Sequence, residues 1–331
     1  MFIQCSIVIL KKDAAEKALN DWIAGIKTLP SWVKIYQLNH HSPSQINTEE
    51  DQWAYKYLYL SQEERRELPA NINMRCGNWF GELGQKQFGN FIWEYEKGSG
   101  LIKKEIKKEK KIFETAIDHF NKYEPVDEKD KRQAEENKLG FALTWNNIQA
   151  AIKEVNLKEP IECERSVSLD LPDCELPVIG RIDFEDQYNF IELKTKYKSK
   201  NRPKVDGSSS YTLKKILGPE DDKQQKYFGW FQHLLQVAFY YLATRKKPHL
   251  VVATEGGYYV YTPDNCDQLK PKNLEKYLIK MSQICSNREK IMARHAGKTT
   301  WIQDIIPNFD HKFWNGMGDH KPKAVRLWGQ A

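Results

Sequence analysis

The 331-residue sequence predicts an α/β fold, a mixed central sheet flanked by helices. Three observations predict it. Apolar residues recur at helical spacing through much of the first half. Three short apolar strands then follow one another between residues 162 and 196. A long amphipathic helix and a hairpin come next. The order helix, three strands, helix, strands belongs to a sheet covered by helices rather than to an all-helical or all-β chain. The length suits one large domain or two modest ones, and ten Trp supply a sizeable core.

The elements are expected as follows. Residues 2–10 read as an apolar strand and Asp13–Lys27 as a helix. A Pro/Ser/Asn-rich stretch covers His40–Asn47, and Trp53–Leu60 alternates loosely enough to be strand or helix. Phe80, Leu83, Phe88, Phe91, Ile92 and Tyr95 fit the helical period, which predicts one helix over Trp79–Tyr95. Gly81, Gly84 and Gly89 lie inside it. Each costs roughly 1 kcal/mol against Ala, so their presence points to close packing. Further helices are expected over Leu101–Asn121 and Lys131–Val155. Glu162–Leu169, Val178–Phe184 and Phe190–Lys196 read as strands. Tyr197–Asp222, with its DGSSS run, reads as a mobile loop. Asp222–Thr244 reads as a long helix and Leu250–Thr254 with Tyr258–Tyr261 as a hairpin. Asn273–Ala293 is the last helix before an irregular, Trp-containing tail. The domain reading is an N-terminal α/β extension (1–74), an α/β core with a helical insertion (75–295) and a C-terminal tail (296–331).

Composition excludes several classes. Charged residues make up 29%, and no window approaches the ~18–20 apolar residues of a membrane-spanning helix. No membrane partner is expected. The opening MFIQCSIVIL is short, has no basic leader or small-residue cleavage site, and runs into Lys11 and Lys12. It reads as a buried strand rather than a signal peptide. Six cysteines (Cys5, Cys76, Cys163, Cys174, Cys266 and Cys285) are scattered without a C-x-x-C pair. That argues against a disulfide framework and a thiolate-held zinc, and for reduced thiols and a cytoplasmic setting. A net charge of +6 permits nucleic-acid binding without requiring it.

The chemistry concentrates in Gly180-Arg181-Ile182-Asp183-Phe184 and Phe190-Ile191-Glu192-Leu193-Lys194-Thr195. An antiparallel hairpin centred between Gln187 and Tyr188 places Asp183 opposite Glu192, with Cβ atoms ~4.5–5.5 Å apart. Phe184 then faces Ile191 on the apolar side. The register that buries the hydrophobic pair therefore juxtaposes two acids. Such a pair repels unless a cation lies between them, and a hard divalent ion such as Mg²⁺ or Mn²⁺ suits oxygen ligands. Lys194, two residues on, shares the face of Glu192. Its ammonium is placed to hold a phosphate or orient an attacking water. Gly180 permits close backbone approach. On the residues alone, a metal site and a pair of plain surface acids both remain open.

The run GRIDF followed by IELKTK resembles motifs II and III of the PD-(D/E)XK nuclease superfamily, in its RecB-like and lambda-type exonuclease branch. The resemblance implies a restriction-endonuclease-like core, with Asp183 and Glu192 as metal ligands, the Leu193 carbonyl as a third, and Lys194 as catalytic lysine. Gln236-Val-Ala-Phe-Tyr240 is similar to the Q-x-x-x-Y motif of the same branch, which implies that Gln236 and Tyr240 line the active-site groove. With Gln232 they share one helix face at i, i+4, i+8. The G-x-x-x-H of that branch has its nearest match in Gly81–Gln85, with Gln85 where His is expected. Glu82, one turn earlier, is the other candidate ligand there. Glu164 opens the preceding strand and reads as a neighbour of the site or as a surface acid. The cysteine pattern of the iron–sulfur branch is missing, so no cluster is expected.

Two basic stretches stand out. Lys103, Lys104, Lys107, Lys108, Lys110 and Lys111 are interleaved with Glu105 and Glu109 and read as a solvated helix face. Lys194, Lys196, Lys198, Lys200, Arg202 and Lys204 follow the second acid directly. With Tyr197 they form a candidate grip on phosphates and a stacking platform for a base. The resulting expectation is a Mg²⁺- or Mn²⁺-dependent DNA exonuclease acting on linear single- or double-stranded ends in recombination, repair or phage DNA processing. A homo-oligomer or a recombination partner protein is compatible with it. A structure-specific endonuclease and a catalytically silent DNA-binding subunit are the alternatives.

Overall fold

The computed structural model describes residues 30–68, 70–96, 100–106, 112–200, 211–213, 231–315 and 317–329. The strand expected at 2–10 and the helix expected at Asp13–Lys27 lie outside the described residues, as do Arg202 and Lys204. Among the described residues four short helices come first: α1 (Ser31–Tyr36), α2 (Pro43–Ile46), α3 (Glu50–Ala54) and α4 (Gln62–Glu67). Trp53–Leu60, ambiguous by pattern, is helical: a π-helical turn, Tyr55–Tyr59, prolongs α3. Ser42 and Ser61 start α2 and α4 with reciprocal capping boxes to Gln45 and Glu64.

The helix expected over Trp79–Tyr95 is two elements. Helix α5 (Ile72–Phe88) stops where Gly89 turns extended, and Phe91–Glu96 is a strand, β1. The helix expected over Leu101–Asn121 begins instead as strand β2 (Gly100–Glu105), and among its described residues α6 (Ile112–Asn121) is the helical part. Aromatic and β-branched residues in Phe91-Ile92-Trp93 suit a strand as well as a helix face. Tertiary pairing decides, because the Asn90 and Phe91 N–H groups both donate to the Ile161 carbonyl. Lys103 and Lys104 therefore stand on a hairpin rather than a helix. They pair with Glu162 at 2.7 Å and Glu94 at 3.1 Å, which corrects the expected helix face at these two positions; Lys107, Lys108, Lys110 and Lys111 lie outside the described residues.

Helix α7 (Glu128–Val155), strands β3 (Glu162–Leu169), β4 (Val178–Glu185) and β5 (Asn189–Thr195) follow close to expectation. Part of the expected loop, β6 (Lys198–Lys200) and β7 (Tyr211–Leu213), pairs as a small antiparallel ribbon. Helix α8 (Phe231–Thr244), the hairpin β8 (Lys247–Thr254) and β9 (Gly257–Tyr261), and helix α9 (Pro271–His295) complete the core. The tail is ordered into a 3₁₀ turn (Thr299–Gln303), α10 (Lys312–Asn315) and α11 (His320–Gly329).

The seven-stranded sheet runs β2-β1-β3-β4-β5-β8-β9, parallel at β1–β3 and β5–β8 and antiparallel elsewhere. Helices cover both faces. Phe80, Phe141, Ile148, Phe184, Ile191 and Val251 fill the layer beneath α5 and α7. Val178, Ile182, Phe190, Leu235, Leu250 and Met281 fill the layer beneath α8 and α9. Alternate residues of β8, Val251 against Leu250 and Val252, go to opposite layers, as strand geometry requires. The suspicion of close packing is met at Gly84, where a Cβ would lie 2.6 Å from the Phe184 ring. Among the described residues, no helix is long and apolar enough to cross a membrane.

Candidate active site

The hairpin β4–β5 is closed by Asp186. Its Oδ1 accepts the Tyr188 and Asn189 N–H groups at 2.7 and 2.6 Å, and its own N–H donates to the Asn189 carbonyl. This local turn sets the register. Phe184 pairs with Ile191 and Glu185 with Phe190, the pairing expected from the sequence, so Asp183 and Glu192 come next in line. There the ladder stops. In an antiparallel ladder the bonded pairs alternate, and Leu193 N–H would next reach the Ile182 carbonyl. It donates instead to Asp183 Oδ2 at 2.7 Å. Strand β4 stays with β3 and β5 with β8, so the sheet opens into a notch with Asp183 and Glu192 at its apex.

A third acid joins them. The β3–β4 pairing sets Arg165 against Ile182 and Cys163 against Phe184, which brings Glu164 level with Asp183. Glu164 sits at φ +54°, a left-handed conformation uncommon for a non-glycine residue. The side-chain alternation breaks at this step. Cys163 and Phe184 belong to the layer under α5, whereas Val167 and Ile182 belong to the layer under α8. Three carboxyls, Glu164, Asp183 and Glu192, thus lie across three neighbouring strands. Gln85, on α5, donates its Nε2 to Glu164 Oε1 at 2.8 Å. Glu82 is exposed, and no described contact ties it to these acids.

The electrostatics follow from burial and crowding. Burial and then Asp183 push Glu164 up to about 7 against the pull of Arg181. Burial lifts Glu192 to about 8; Lys194 pulls it down, and Asp183 and Glu164 push it further up. Asp183 is also raised by burial, with Lys194 and the Leu193 N–H opposing. Burial works against the charge on Lys194, but Glu192 and Asp183 outweigh it and hold its value above the ordinary one. Lys194 Nζ donates to Glu192 Oε1. Glu192 Oε2 is buried and has no hydrogen-bond partner among the described residues. A buried, unpaired polar atom costs about 1–3 kcal/mol, more when charged.

Helix α8 closes the notch. At Gly180 a Cβ would meet Phe239 at 2.7 Å and Tyr240 at 3.0 Å, so the helix can lie this close to β4 only over a glycine. Tyr240 is buried, donates its hydroxyl to the Arg181 carbonyl, and accepts from Gln236 Nε2 at 3.2 Å. Gln236 therefore connects Tyr240 to a cleft of about 750 Å³ that it lines with Lys194 and His233. His233 escaped sequence reasoning. Its signal was the spacing 233, 236, 240, one helix face at i, i+3, i+7. Burial, then Lys194 and Lys196, hold its imidazole down to about 3, so it is neutral at ordinary pH.

The basic strip after Glu192 is less uniform than its composition suggests. Lys196 is half-buried, and its N–H donates to the Ala253 carbonyl. Lys198 is held by Glu255 at 2.8 Å and Glu136 at 3.7 Å. Lys200 ends the β6 strand. Tyr197 packs against the apolar layer under α5 and bonds Thr195 Oγ1 at 2.7 Å, so the expected stacking platform is part of the core in this structure. Gln232 has no described side-chain position, so the polar face is seen only at Gln236 and Tyr240.

The donor set fits a hard divalent cation: carboxylate oxygens, one of them buried without a partner, with an amide oxygen on Gln85 and a backbone carbonyl at Leu193 nearby in sequence and fold. Among the described residues, no three His, Cys, Asp or Glu side chains converge into a ready metal cage. Asp183 is engaged by the Leu193 N–H and Glu192 by Lys194, and an ion entering the notch must displace these contacts. Compared with known proteins, the chain matches no family model, no curated protein and no solved structure.

Proposed function

We propose that this chain is a metal-dependent deoxyribonuclease of the PD-(D/E)XK type, acting as an exonuclease on DNA ends. One observation carries the reading. Asp183 and Glu192 stand at a notch between β4 and β5 with Glu164 level with Asp183 on β3, and Glu192 gives Oε1 to Lys194 while its buried Oε2 has no partner among the described residues. Crowded, buried acids of this kind are stable only when protonated or when a cation relieves them. A Mg²⁺ or Mn²⁺ held by Asp183 and Glu192 would supply charge neutralisation and acidify water.

The protein's own groups divide the remaining work. Lys194, released from Glu192, is placed to hold a phosphate oxygen and orient the attacking water, and its charge opposes that building on the phosphate. Tyr240 and Gln236 tie the β4 backbone to the helix that lines the cleft. The amide contact of Gln85 to Glu164 favours a second reading, a silent DNA-binding subunit, because it occupies the acid that a second ion would need.

Digestion of end-labelled linear and closed circular DNA with Mg²⁺, Mn²⁺ or EDTA tests these readings. Metal-dependent loss of linear DNA alone is expected, with a fall of at least about 100-fold in Lys194→Ala, the scale of losing one positioned charge. Cutting of circles would establish an endonuclease. Binding without cutting in any metal would overturn catalysis and leave the binding subunit.

A further inference from the structure

The cleft that receives Lys194 has a second wall, built from the two ends of the described chain. The π-helical turn carries Lys56 and α4 carries Arg65, while the tail contributes Phe313. The tail is fastened there by buried contacts. Asp51 Oδ2 accepts from Trp314 Nε1 at 3.1 Å and from the Asn308 N–H at 2.9 Å, and Gln52 Nε2 meets His311 Nδ1 at 2.7 Å. Trp314 and Tyr55 pack edge to face. The wall is therefore a fixed surface of the fold. π-Helical turns are rare and recur at functional sites, and this one places Lys56 over the Phe313 ring, 5.0 Å from its centroid.

The lining is polarised. Among the described lining residues Lys56, Arg65 and Lys194, the last paired with Glu192, outnumber the one acid, Glu49. Arg65 leans on the Tyr57 ring, and its Nη1 is buried without a hydrogen-bond partner among the described residues. Stacking on Tyr57 fixes the guanidinium at the cleft wall, where Arg65 adds its charge to that of Lys56. The cleft holds about 750 Å³, on the scale of small-ligand sites of ~300–1,000 Å³. That is room for a nucleotide or two of one strand and too little for a duplex.

We propose that this cleft binds a single DNA strand and leads its end to Lys194. Lys56 and Arg65 take successive phosphates, and Phe313 offers the ring on which a base stacks. A positive groove with an aromatic floor is the general design of sequence-tolerant single-strand sites. The inference rests on the nuclease reading for the identity of the strand, and it adds the strand preference and the residues that carry it.

The test is anisotropy of a fluorescein-labelled oligothymidylate in EDTA, where nothing is cut. The double substitution Lys56→Gln with Arg65→Gln is expected to weaken binding about tenfold. It should also lower the slope of log affinity against log salt by about 1.4, from ~0.7 for each lost phosphate contact on a single strand. Lys56→Arg is expected to stay within about twofold, and Lys272→Gln, an exposed lysine outside the cleft, to change nothing. On the unaltered protein, the oligonucleotide should shield Lys56 from an amine-acylating reagent, read by mass spectrometry.

Unchanged binding in the double variant, or no shielding of Lys56, overturns the proposal even if the protein cuts DNA. Tighter binding of a duplex than of the single strand overturns it as well. Binding and shielding as expected in a protein that cuts nothing would leave the cleft standing and remove the nuclease reading instead.

Discussion

The acidic notch makes a prediction about stability that needs no substrate. Glu164 is held at about 7 and Glu192 at about 8, by burial first and by neighbouring charges second. A carboxyl raised in the folded state keeps its proton where the unfolded chain has lost it. The folded protein then binds more protons than the unfolded one between about 4.5 and the raised value, so stability falls as pH rises through that window and levels off above it. At ~1.4 kcal/mol for each tenfold in proton affinity, moving Glu164 from 4.5 to about 7 costs roughly 3 kcal/mol once it is ionised. For a chain of this size that is roughly 5 °C in Tm. Glu164→Gln removes the charge but keeps a group that Gln85 can bond. In EDTA, its melting temperature should match the unaltered protein near pH 5 and exceed it by about 5 °C near pH 8.5. Mg²⁺ or Mn²⁺ should flatten the pH dependence of the unaltered protein, since an ion stabilises the ionised acids. The measurement is thermal unfolding by circular dichroism across pH. A Tm for Glu164→Gln that does not exceed the parent at high pH would refute the crowding argument, because a solvated surface acid gains nothing from neutralisation.

Three further perturbations test the framework around the notch. Gly180→Ala places a Cβ 2.7 Å from Phe239 and 3.0 Å from Pro43 and Tyr240, so denaturant unfolding should show a loss of about 1–3 kcal/mol. Tyr240→Phe leaves the Arg181 carbonyl without its hydroxyl donor and should cost about 1–2 kcal/mol in the same assay. Trp314→Ala empties a site 1% exposed and removes one of the donors to Asp51. A loss of about 3–5 kcal/mol is expected, with limited proteolysis cutting first in the tail.

The reactive hairpin was legible because everything that builds it is local. An Asp and an Asn flank a short turn, Phe184 and Ile191 demand the same buried face, and together they admit one register. That register forces Asp183 and Glu192 into line. The opening of the sheet was not legible. It depends on a carboxylate taking a backbone N–H, Asp183 to Leu193, and no alternation of apolar and polar residues signals such a substitution. The kink at Glu164 has the same character, since nothing in Glu-Cys-Glu-Arg distinguishes a left-handed residue from an ordinary strand position. At Phe91–Glu96 the two periods competed, and a long-range carbonyl, Ile161, settled the contest.

The same division separates chemistry from access. The groups that would act on a phosphate, Asp183, Glu192 and Lys194, come from twelve consecutive positions of one hairpin. The wall that decides what reaches them comes from residues 44–74 and 311–317, brought together by Asp51, Gln52 and Trp314. The contacts between the two segments are long-range, Tyr55 against Trp314 and Asp51 against Trp314 and Asn308, and no local pattern announces them. Tyr55, Leu60, Trp314, Met317 and Ala324 form a cluster of their own, outside the two layers on the sheet. On the proposed reading, the reaction class rests on a short motif, whereas strand preference would rest on two distant segments that meet over it. Substitutions in that wall should change which DNA is bound while leaving the acids and their raised proton affinities in place, and substitutions in the notch should do the converse.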